Sequence, residues 1–130
     1  MERLGALDER ECWELLGSVS VGHVGLSIGA LPSVLPAQYY RDGQTLVICL
    51  GSDEVPMSSL IDAVIAFSVD AFDSSSGVGW AVQAQGIAHH ATTGGMPTSS
   101  GQESGEQVVQ LEPVNLKGQR LRLRPFAATF

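Results

Sequence analysis

The sequence predicts a mainly β fold, an antiparallel barrel of about six strands with two short helices. In several stretches the side chains alternate between apolar and polar with a period of two, which is typical of strands with one buried face. Turn-forming residues rather than crossover helices separate these stretches, which favours an antiparallel barrel over a doubly wound sheet. A chain of 130 residues can bury one hydrophobic core, so we expect a single domain over residues 1–130.

The first predicted element is a short helix within ALDERECWELLGS, residues 6–18. Asp8 can cap its N-terminus, Glu11 can complete a capping box, and Gly17 can end the helix. Because the apolar residues of this segment share one face, we expect the helix to lie on the sheet as a lid or plug.

The next segments are predicted strands. VSVGHVGLSI, residues 19–28, alternates along its length, and SVLPAQYYR and QTLVICL flank Asp42-Gly43. That dipeptide supplies the positive φ angles of a tight hairpin, which makes these two segments neighbours. Pro36 lacks a backbone donor, so its strand is expected at an edge or to be broken there.

The second half of the chain continues the pattern. Pro56 opens a short helix around PMSSLID, and AVIAFSVDAF and GVGWAVQAQGIAHHAT are predicted strands. Residues 92–106 form a Gly/Ser/Thr-rich loop of a length that can cover a site. VVQLEPVNLKGQRLRLRPF is predicted as a strand, a turn at Lys117-Gly118 and a last strand that presents Arg120, Arg122 and Arg124 on one face.

Composition disfavours several classes of partner. Seven Lys and Arg against fourteen Asp and Glu give a net charge of −7, which repels nucleic acid and anionic membrane surfaces. Cys12 and Cys49 lie in different elements without a metal-ligand spacing, which indicates reduced thiols in the cytoplasm. The chain has no apolar run of about 18 residues, so we expect no membrane span.

The sequence contains no catalytic triad, paired-carboxylate motif, P-loop or dinucleotide fingerprint. We therefore predict no catalytic side chain and no metal site, and expect any reactivity to come from a cofactor. Small barrels commonly pair their open edges, so a homodimer is expected.

Four segments together resemble the pyridoxamine 5′-phosphate oxidase-like family of flavin-binding split β-barrels, particularly its small actinobacterial members. The similarity runs from about residue 7 to residue 123 and leaves out the 92–106 loop. The segments are LDERECWELLGSVSVGHVGL, SVLPAQYYRDGQTLVICLG, VIAFSVDAFDSSSGVGWAVQAQGIAH and QLEPVNLKGQRL. The resemblance implies an antiparallel split β-barrel and a homodimer that binds FMN, or in some relatives F420 or haem, in a groove between the subunits.

The resemblance also implies which residues contact the flavin. The segment LPAQY, residues 35–39, is expected to line the isoalloxazine ring, with Gln38 and Tyr39 as candidate contacts. Trp80 matches a position where the family often has tryptophan. For Tyr39 and Trp80 the alternative is an ordinary packing role, which we favour for both.

The chain departs from the family where the flavin phosphate is usually held. Cys49-Leu50 stands where Arg-Thr is usual, and Met57-Ser58-Ser59 stands where a Lys is usual. Losing two cations would weaken phosphate binding.

Three ways to account for the missing cations remain open. The hydroxyls of Ser58 and Ser59 with backbone N–H groups can bind the phosphate, Arg120 and Arg122 can reach it from either subunit, or the ligand has no phosphate.

We therefore predict an FMN-binding split-barrel protein, a flavin-dependent oxidoreductase of unknown substrate with an atypical phosphate site. Oxidation of pyridoxamine phosphate itself is disfavoured, because the central region offers no cation for a second phosphate. One alternative is a cofactor-free dimeric binding or assembly module, and the other is F420 or haem in the same groove. Haem would require His23 or His89 as a ligand, although ordinary roles are favoured for both.

Overall fold

The computed structural model describes residues 1–51, 55–91 and 107–125. In chain order the elements are β1 Glu2–Leu7, α1 Glu9–Leu16, β2 Val21–Ile28, β3 Leu31–Asp42, β4 Thr45–Leu50, α2 Met57–Leu60, β5 Val64–Phe72, β6 Val78–His90, β7 Gln107–Leu111 and β8 Asn115–Arg122. The predicted fold class is confirmed: strands predominate and two short helices accompany them. No helix in these described ranges has the length and apolar character needed to cross a membrane.

Six antiparallel strands close into a barrel in the order β2-β3-β4-β7-β6-β5, with β5 pairing back onto β2. The long strand β6 is shared between two neighbours. Its residues 78–85 pair with β8 and its residues 88–90 pair with β7. β8 therefore lies outside the closed barrel, and β1 pairs with its other edge.

The barrel interior is the hydrophobic core, and α1 closes one of its ends. Cys12, Trp13 and Leu16 of the helix are buried within the same cluster as the inward-facing strand residues. The Tyr39 hydroxyl, inside the barrel, donates to the backbone carbonyl of Leu16 at 2.6 Å. The predicted plug is thus confirmed, and a buried hydrogen bond ties it to β3.

Local chemistry sets the ends of α1 as predicted. The Asp8 carboxylate accepts from the Glu11 backbone N–H at 2.8 Å, and the Glu11 carboxylate accepts from the Asp8 backbone N–H at 3.1 Å. This reciprocal pair is a capping box, and Gly17 is the C-cap residue that ends the helix.

The predicted hairpin at Asp42-Gly43 is also present. Asp42 pairs with Thr45, and Gly43 has a φ of +63°, a value that glycine adopts without steric cost. Pro36 lies where β3 pairs with β2 alone, because pairing with β4 begins at Ala37. The expectation that this strand lies at an edge or breaks at Pro36 is wrong, because β3 runs unbroken between β2 and β4; only its pairing with β4 stops short of Pro36.

The C-terminal segment differs from the prediction. The turn lies at residues 112–114, whereas Lys117 and Gly118 are in the interior of β8. A Cβ atom at Gly118 would lie 2.6 Å from the Cys12 sulfur, so this glycine permits close packing of α1 rather than a turn. β8 ends at Arg122, which leaves Arg124 outside the strand.

The structure adds one strand that the sequence did not predict. β1 is mostly exposed and pairs only with β8, so its sequence lacks the apolar alternation of a half-buried strand. The predicted loop over residues 92–106 lies outside the described residues.

Candidate functional site

The barrel wall divides the predicted flavin site between two faces. Gln38 pairs with Cys49 and both side chains point outward, whereas Tyr39 and Leu50 belong to the inward-facing core. Side chains alternate along a strand, so Gln38 and Tyr39 cannot contact one ligand from the same side. Of the two ring contacts expected on β3, only Gln38 lies on the exposed outer side.

Tyr39 is a core residue in the structure. Its side chain is 2% exposed, and its ring meets that of Phe67 edge-on at a centroid distance of 4.8 Å. Burial raises the pKa of the Tyr39 hydroxyl to about 12. The packing role that the sequence favoured is the one observed.

The positions expected to hold a flavin phosphate offer no positive charge. Cys49 is 4% exposed and forms no disulfide, and Leu50 is 3% exposed. Ser58 is exposed and Ser59 partly buried on α2, which has no side-chain cap, and neither β4 nor α2 contains Lys or Arg.

A nearby buried atom also disfavours an anion there. Gln107 pairs with Leu50 and donates to the Val55 carbonyl, while its Oε1 is buried without a hydrogen-bond partner in the described part of the chain. A buried acceptor offers nothing to a phosphate, and with no Lys or Arg on β4 or α2 this region is a poor fit for that group.

Arg120 and Arg122 do not approach the Gln38 side within one subunit. Arg120 pairs with Trp80, which faces the core and packs against it. The two arginines instead lie 4.0 Å from Glu11 and 3.3 Å from Glu2, as exposed ion pairs. Trp80 therefore has a packing role, and the arginines have intrachain partners.

On the outer side, one row of residues crosses five strands. We call it the outer row. Pairing joins its members in the order Pro36, His23, Ser68, Gln83 and Lys117. His23 is exposed on this row.

The outer row ends in a cleft of about 560 Å³ beside the added strands, which we call the β1–β8 cleft. Two cations, Arg3 and Lys117, line it together with the amides of Gln83 and Gln119 and the hydroxyl of Ser68. Its apolar lining includes Ala81, Val82 and Leu116.

Sequence reasoning missed this cleft for two reasons. Lys117 was assigned to a turn and Arg3 to a segment without a strand. Pro113, in the observed turn, was the signal that would have placed β8 correctly.

Arg41, Arg120 and Arg122 have partners within the chain. Arg41 donates to the carbonyls of Gly43 and Trp13 and lies over the Trp13 ring at 5.1 Å. By contrast, Arg3 and Lys117 form no ion pair with any described residue. The two cations that line the β1–β8 cleft are therefore without an ion-pair partner among the described residues.

The outer side also carries exposed aliphatic residues. Val21, Val34, Val64 and Ile87 are 57%, 69%, 72% and 43% exposed, on β2, β3, β5 and β6. We call these four residues, together with Pro36, His23, Ser68 and Gln83 of the outer row, the outer face. None of these residues is acidic, in a chain of net charge −7, and the nearest carboxylate along β5 is that of Asp70, two residues beyond Ser68 on the same side of the strand.

No other reactive centre is evident. No group of three or more His, Cys, Asp or Glu that could hold a metal occurs within the described ranges. His89 lies 3.6 Å from Asp62 in an exposed pair. Burial, and then the nearby Asp8 carboxylate, raises the pKa of the Cys12 thiol, so it is a poor nucleophile.

Comparisons with known proteins place this geometry in context. The model of a family described as pyridoxamine 5′-phosphate oxidase matches residues 8–120. A search of curated proteins found no match.

Three solved structures share the fold. The FAD-binding protein from Mycobacterium smegmatis is 22% identical, with a TM-score of 0.69 over 91% of this chain and 98% of that one. A FAD-binding protein from Mesorhizobium loti is 12% identical, with a TM-score of 0.70 over 89% and 95%. The FAD and haem binding protein from M. smegmatis is 17% identical, with a TM-score of 0.67 over 93% and 75%.

Proposed function

The chain belongs to the pyridoxamine 5′-phosphate oxidase family, and on that premise we propose that it is a homodimeric flavin-binding redox protein. The single observation that carries the proposal is the outer face. Its aliphatic residues are exposed, the amide of Gln38 lies beside it as the cross-strand partner of Val21, and it ends in a cleft of a size typical of ligand sites. FAD binding by proteins of the same fold supports a flavin as the ligand.

The flavin ring fits this surface better than the flavin phosphate fits its usual positions. An uncharged surface with amide and hydroxyl groups suits a flat heterocycle with donors and acceptors on its edge. The region of Cys49, Leu50 and α2 contains no Lys or Arg, and the buried Gln107 oxygen beside it has no hydrogen-bond donor among the described residues. We therefore assign ring binding to the surface around Gln38, and no phosphate contact to the region of Cys49, Leu50 and α2.

The role of this chain is to bind and orient the cofactor. A bound flavin supplies hydride and electron transfer. Gln38 offers an amide hydrogen bond, while the aliphatic residues of the outer face exclude water. This role needs no acid or base from the protein.

The homodimer follows from the same surface. Four exposed aliphatic residues on a nearly uncharged face can pack against a second copy without repulsion, although each chain is acidic overall. The dimer would place the flavin between two outer faces. Two buried thiols that form no disulfide agree with a reducing cytoplasm as the compartment.

The test is a visible absorption spectrum of the purified protein, followed by titration with riboflavin, FMN, FAD, F420 and haem. We expect a retained flavin spectrum and an affinity for riboflavin that falls about ten-fold in Gln38→Ala, since one hydrogen bond to the ring is lost. Gln44→Ala is the matched control, because Gln44 is an exposed amide in the β3–β4 turn. Absence of any flavin binding would contradict the proposal and favour a cofactor-free module, and a Soret band alone would favour haem.

A further inference from the structure

We propose that the β1–β8 cleft is an anion site for an organic phosphate, with Arg3 and Lys117 as the residues that bind the phosphate group. This site is separate from the positions where the family resemblance implies phosphate binding. The inference rests on the proposed function only where it concerns the source of the phosphate.

The charge distribution carries the first step. The chain has seven cations against fourteen carboxylates, so an unpaired cation has many potential partners. Arg3 and Lys117 nevertheless have no carboxylate partner among the described residues, and both line one concave surface. A cleft focuses the field of like charges on its wall and attracts an anion.

The donors in the cleft match a phosphate. A phosphomonoester carries a charge of about −1.5 to −2 at neutral pH and three acceptor oxygens. Two cations balance that charge, and the amides of Gln83 and Gln119 and the hydroxyl of Ser68 add neutral donors. Gln83 and Lys117 are direct cross-strand partners, so their side chains lie side by side.

The two cations approach the cleft from its two ends. Arg3 pairs with Leu121, which is four residues from Lys117 along β8. At a rise of ~3.3 Å per residue their Cα atoms are about 13 Å apart along the strand. Both side chains are long and flexible, so both can reach an anion held between them.

The size of the cleft indicates a ligand larger than inorganic phosphate. A volume of about 560 Å³ with apolar residues such as Ala81 and Leu116 in its lining suits an organic body attached to the phosphate.

Two sources of that phosphate are possible. Lys117 is about 19 Å around the barrel from Pro36, at ~4.8 Å per strand step, so within one subunit the cleft is far from the Gln38 side. In a two-fold dimer built on the outer face, both regions border the same interface. The phosphate can therefore belong to the flavin or to a second, substrate-like ligand.

The experiment compares riboflavin, FMN and pyrophosphate binding to the full chain at low ionic strength, where exposed charges are least screened. The variants are Arg3→Gln, Lys117→Gln and their combination. Arg10→Gln is the matched control, because it removes the same charge from an exposed position of α1 outside the cleft. Circular dichroism verifies folding, which exposed substitutions should leave unchanged.

If the flavin is the source, wild type should bind FMN about ten-fold or more tightly than riboflavin, and the double variant should lose that difference while Arg10→Gln keeps it. If a second ligand is the source, FMN and riboflavin should bind alike. Pyrophosphate should then bind the riboflavin-loaded protein and lose about ten-fold or more in affinity in the double variant. Both results support the site.

The proposal is overturned if FMN binds no more tightly than riboflavin and pyrophosphate does not bind. It is also overturned if Arg10→Gln lowers the affinity as much as the cleft variants do. Riboflavin binding in that case leaves the proposed flavin function standing. Conversely, pyrophosphate binding that depends on Arg3 and Lys117, without any flavin binding, would reject the flavin function and retain the anion site.

Discussion

Tyr39 shows how a single side chain fixes the barrel to its plug. Its ring packs against Phe67, and its hydroxyl reaches the last turn of α1 through the Leu16 carbonyl. The hydrogen bond is buried, so no water replaces it when the hydroxyl is removed. Tyr39 is therefore a stability residue, and the outward-facing Gln38 beside it is free to contact a ligand.

Tyr39→Phe should lower the free energy of unfolding by about 1–2 kcal/mol at neutral pH, since it leaves the Leu16 carbonyl without its partner. It should also change the alkaline pH dependence. Because the folded-state pKa of Tyr39 is about 12 against an ordinary value of 10.0, stability is intact below pH 10 and falls as pH rises towards 12. The loss from this residue is at most about 1.4 kcal/mol per pH unit.

Urea unfolding at pH 7, 10.5 and 11.5 measures both effects. Tyr40→Phe is the control, because it removes the neighbouring hydroxyl while keeping Tyr39. We expect Tyr40→Phe to retain the alkaline loss of stability and Tyr39→Phe to reduce it. An unchanged alkaline slope in Tyr39→Phe would show that Tyr39 does not cause it.

Residue roles could be predicted from the sequence only in part. Alternation places Gln38 and Tyr39 on opposite faces, and this follows from the strand period alone. Which of the two faces is the inside depends on how six strands close, and residue type only favours Tyr39 over Gln38 for the inner position. For the same reason Cys49 and Leu50, both buried, could not be assigned to outer and inner positions beforehand.

At the scale of elements, local chemistry was the reliable guide. The capping box of α1 and the Asp42-Gly43 hairpin depend on a few adjacent residues and are found as predicted. The misplaced turn at Lys117-Gly118 has a tertiary cause, because a glycine that permits close packing has the same sequence signature as a glycine in a turn. β1 could not be recognised, since only its pairing with β8 makes it a strand.

The packing of α1 on β8 gives a prediction at this scale. Gly118→Ala should destabilise the fold by about 1–3 kcal/mol, because the new methyl group would lie 2.6 Å from the Cys12 sulfur and must displace the helix. Cys12→Ala removes that sulfur and costs its own buried packing. In the double variant the methyl group takes up part of the vacated space, so we expect a smaller loss than the sum of the two.

Chemical denaturation of the four proteins gives the coupling energy. For two residues in contact we expect a coupling energy of about 0.5–3 kcal/mol. Its sign should make the double variant more stable than the sum of the two single losses predicts. A Leu7 carbon would lie 3.0 Å from the same added methyl group, so rescue should be incomplete. Strict additivity would mean that Cys12 is not the obstacle and that α1 does not approach β8 this closely.

At the scale of the whole molecule, the charge and the apolar surface are separated. None of the residues that form the outer face is acidic, and Val34 and Val64 are the most exposed of its four aliphatic residues. An acidic chain with a neutral apolar face can associate through that face and stay soluble elsewhere. The proposed dimer and the proposed flavin site are thus two consequences of one surface.

Val34→Glu tests that surface directly. A two-fold interface brings the same position of both subunits to it, so each dimer would bury two added carboxylates, and we expect a shift from dimer to monomer. Analytical ultracentrifugation over a range of concentrations measures the shift. Val114→Glu is the matched control, because Val114 is 84% exposed in the turn between β7 and β8 and is not one of the residues of the outer face, so it should leave the dimer intact. Since both positions are exposed in the single subunit, neither change should alter the unfolding free energy of the monomer by more than about 0.5 kcal/mol; loss of the dimer removes only the additional stabilisation that association provides. A monomeric wild type, or equal dissociation in both variants, would reject the outer face as the interface, and the flavin would then have to bind a single barrel.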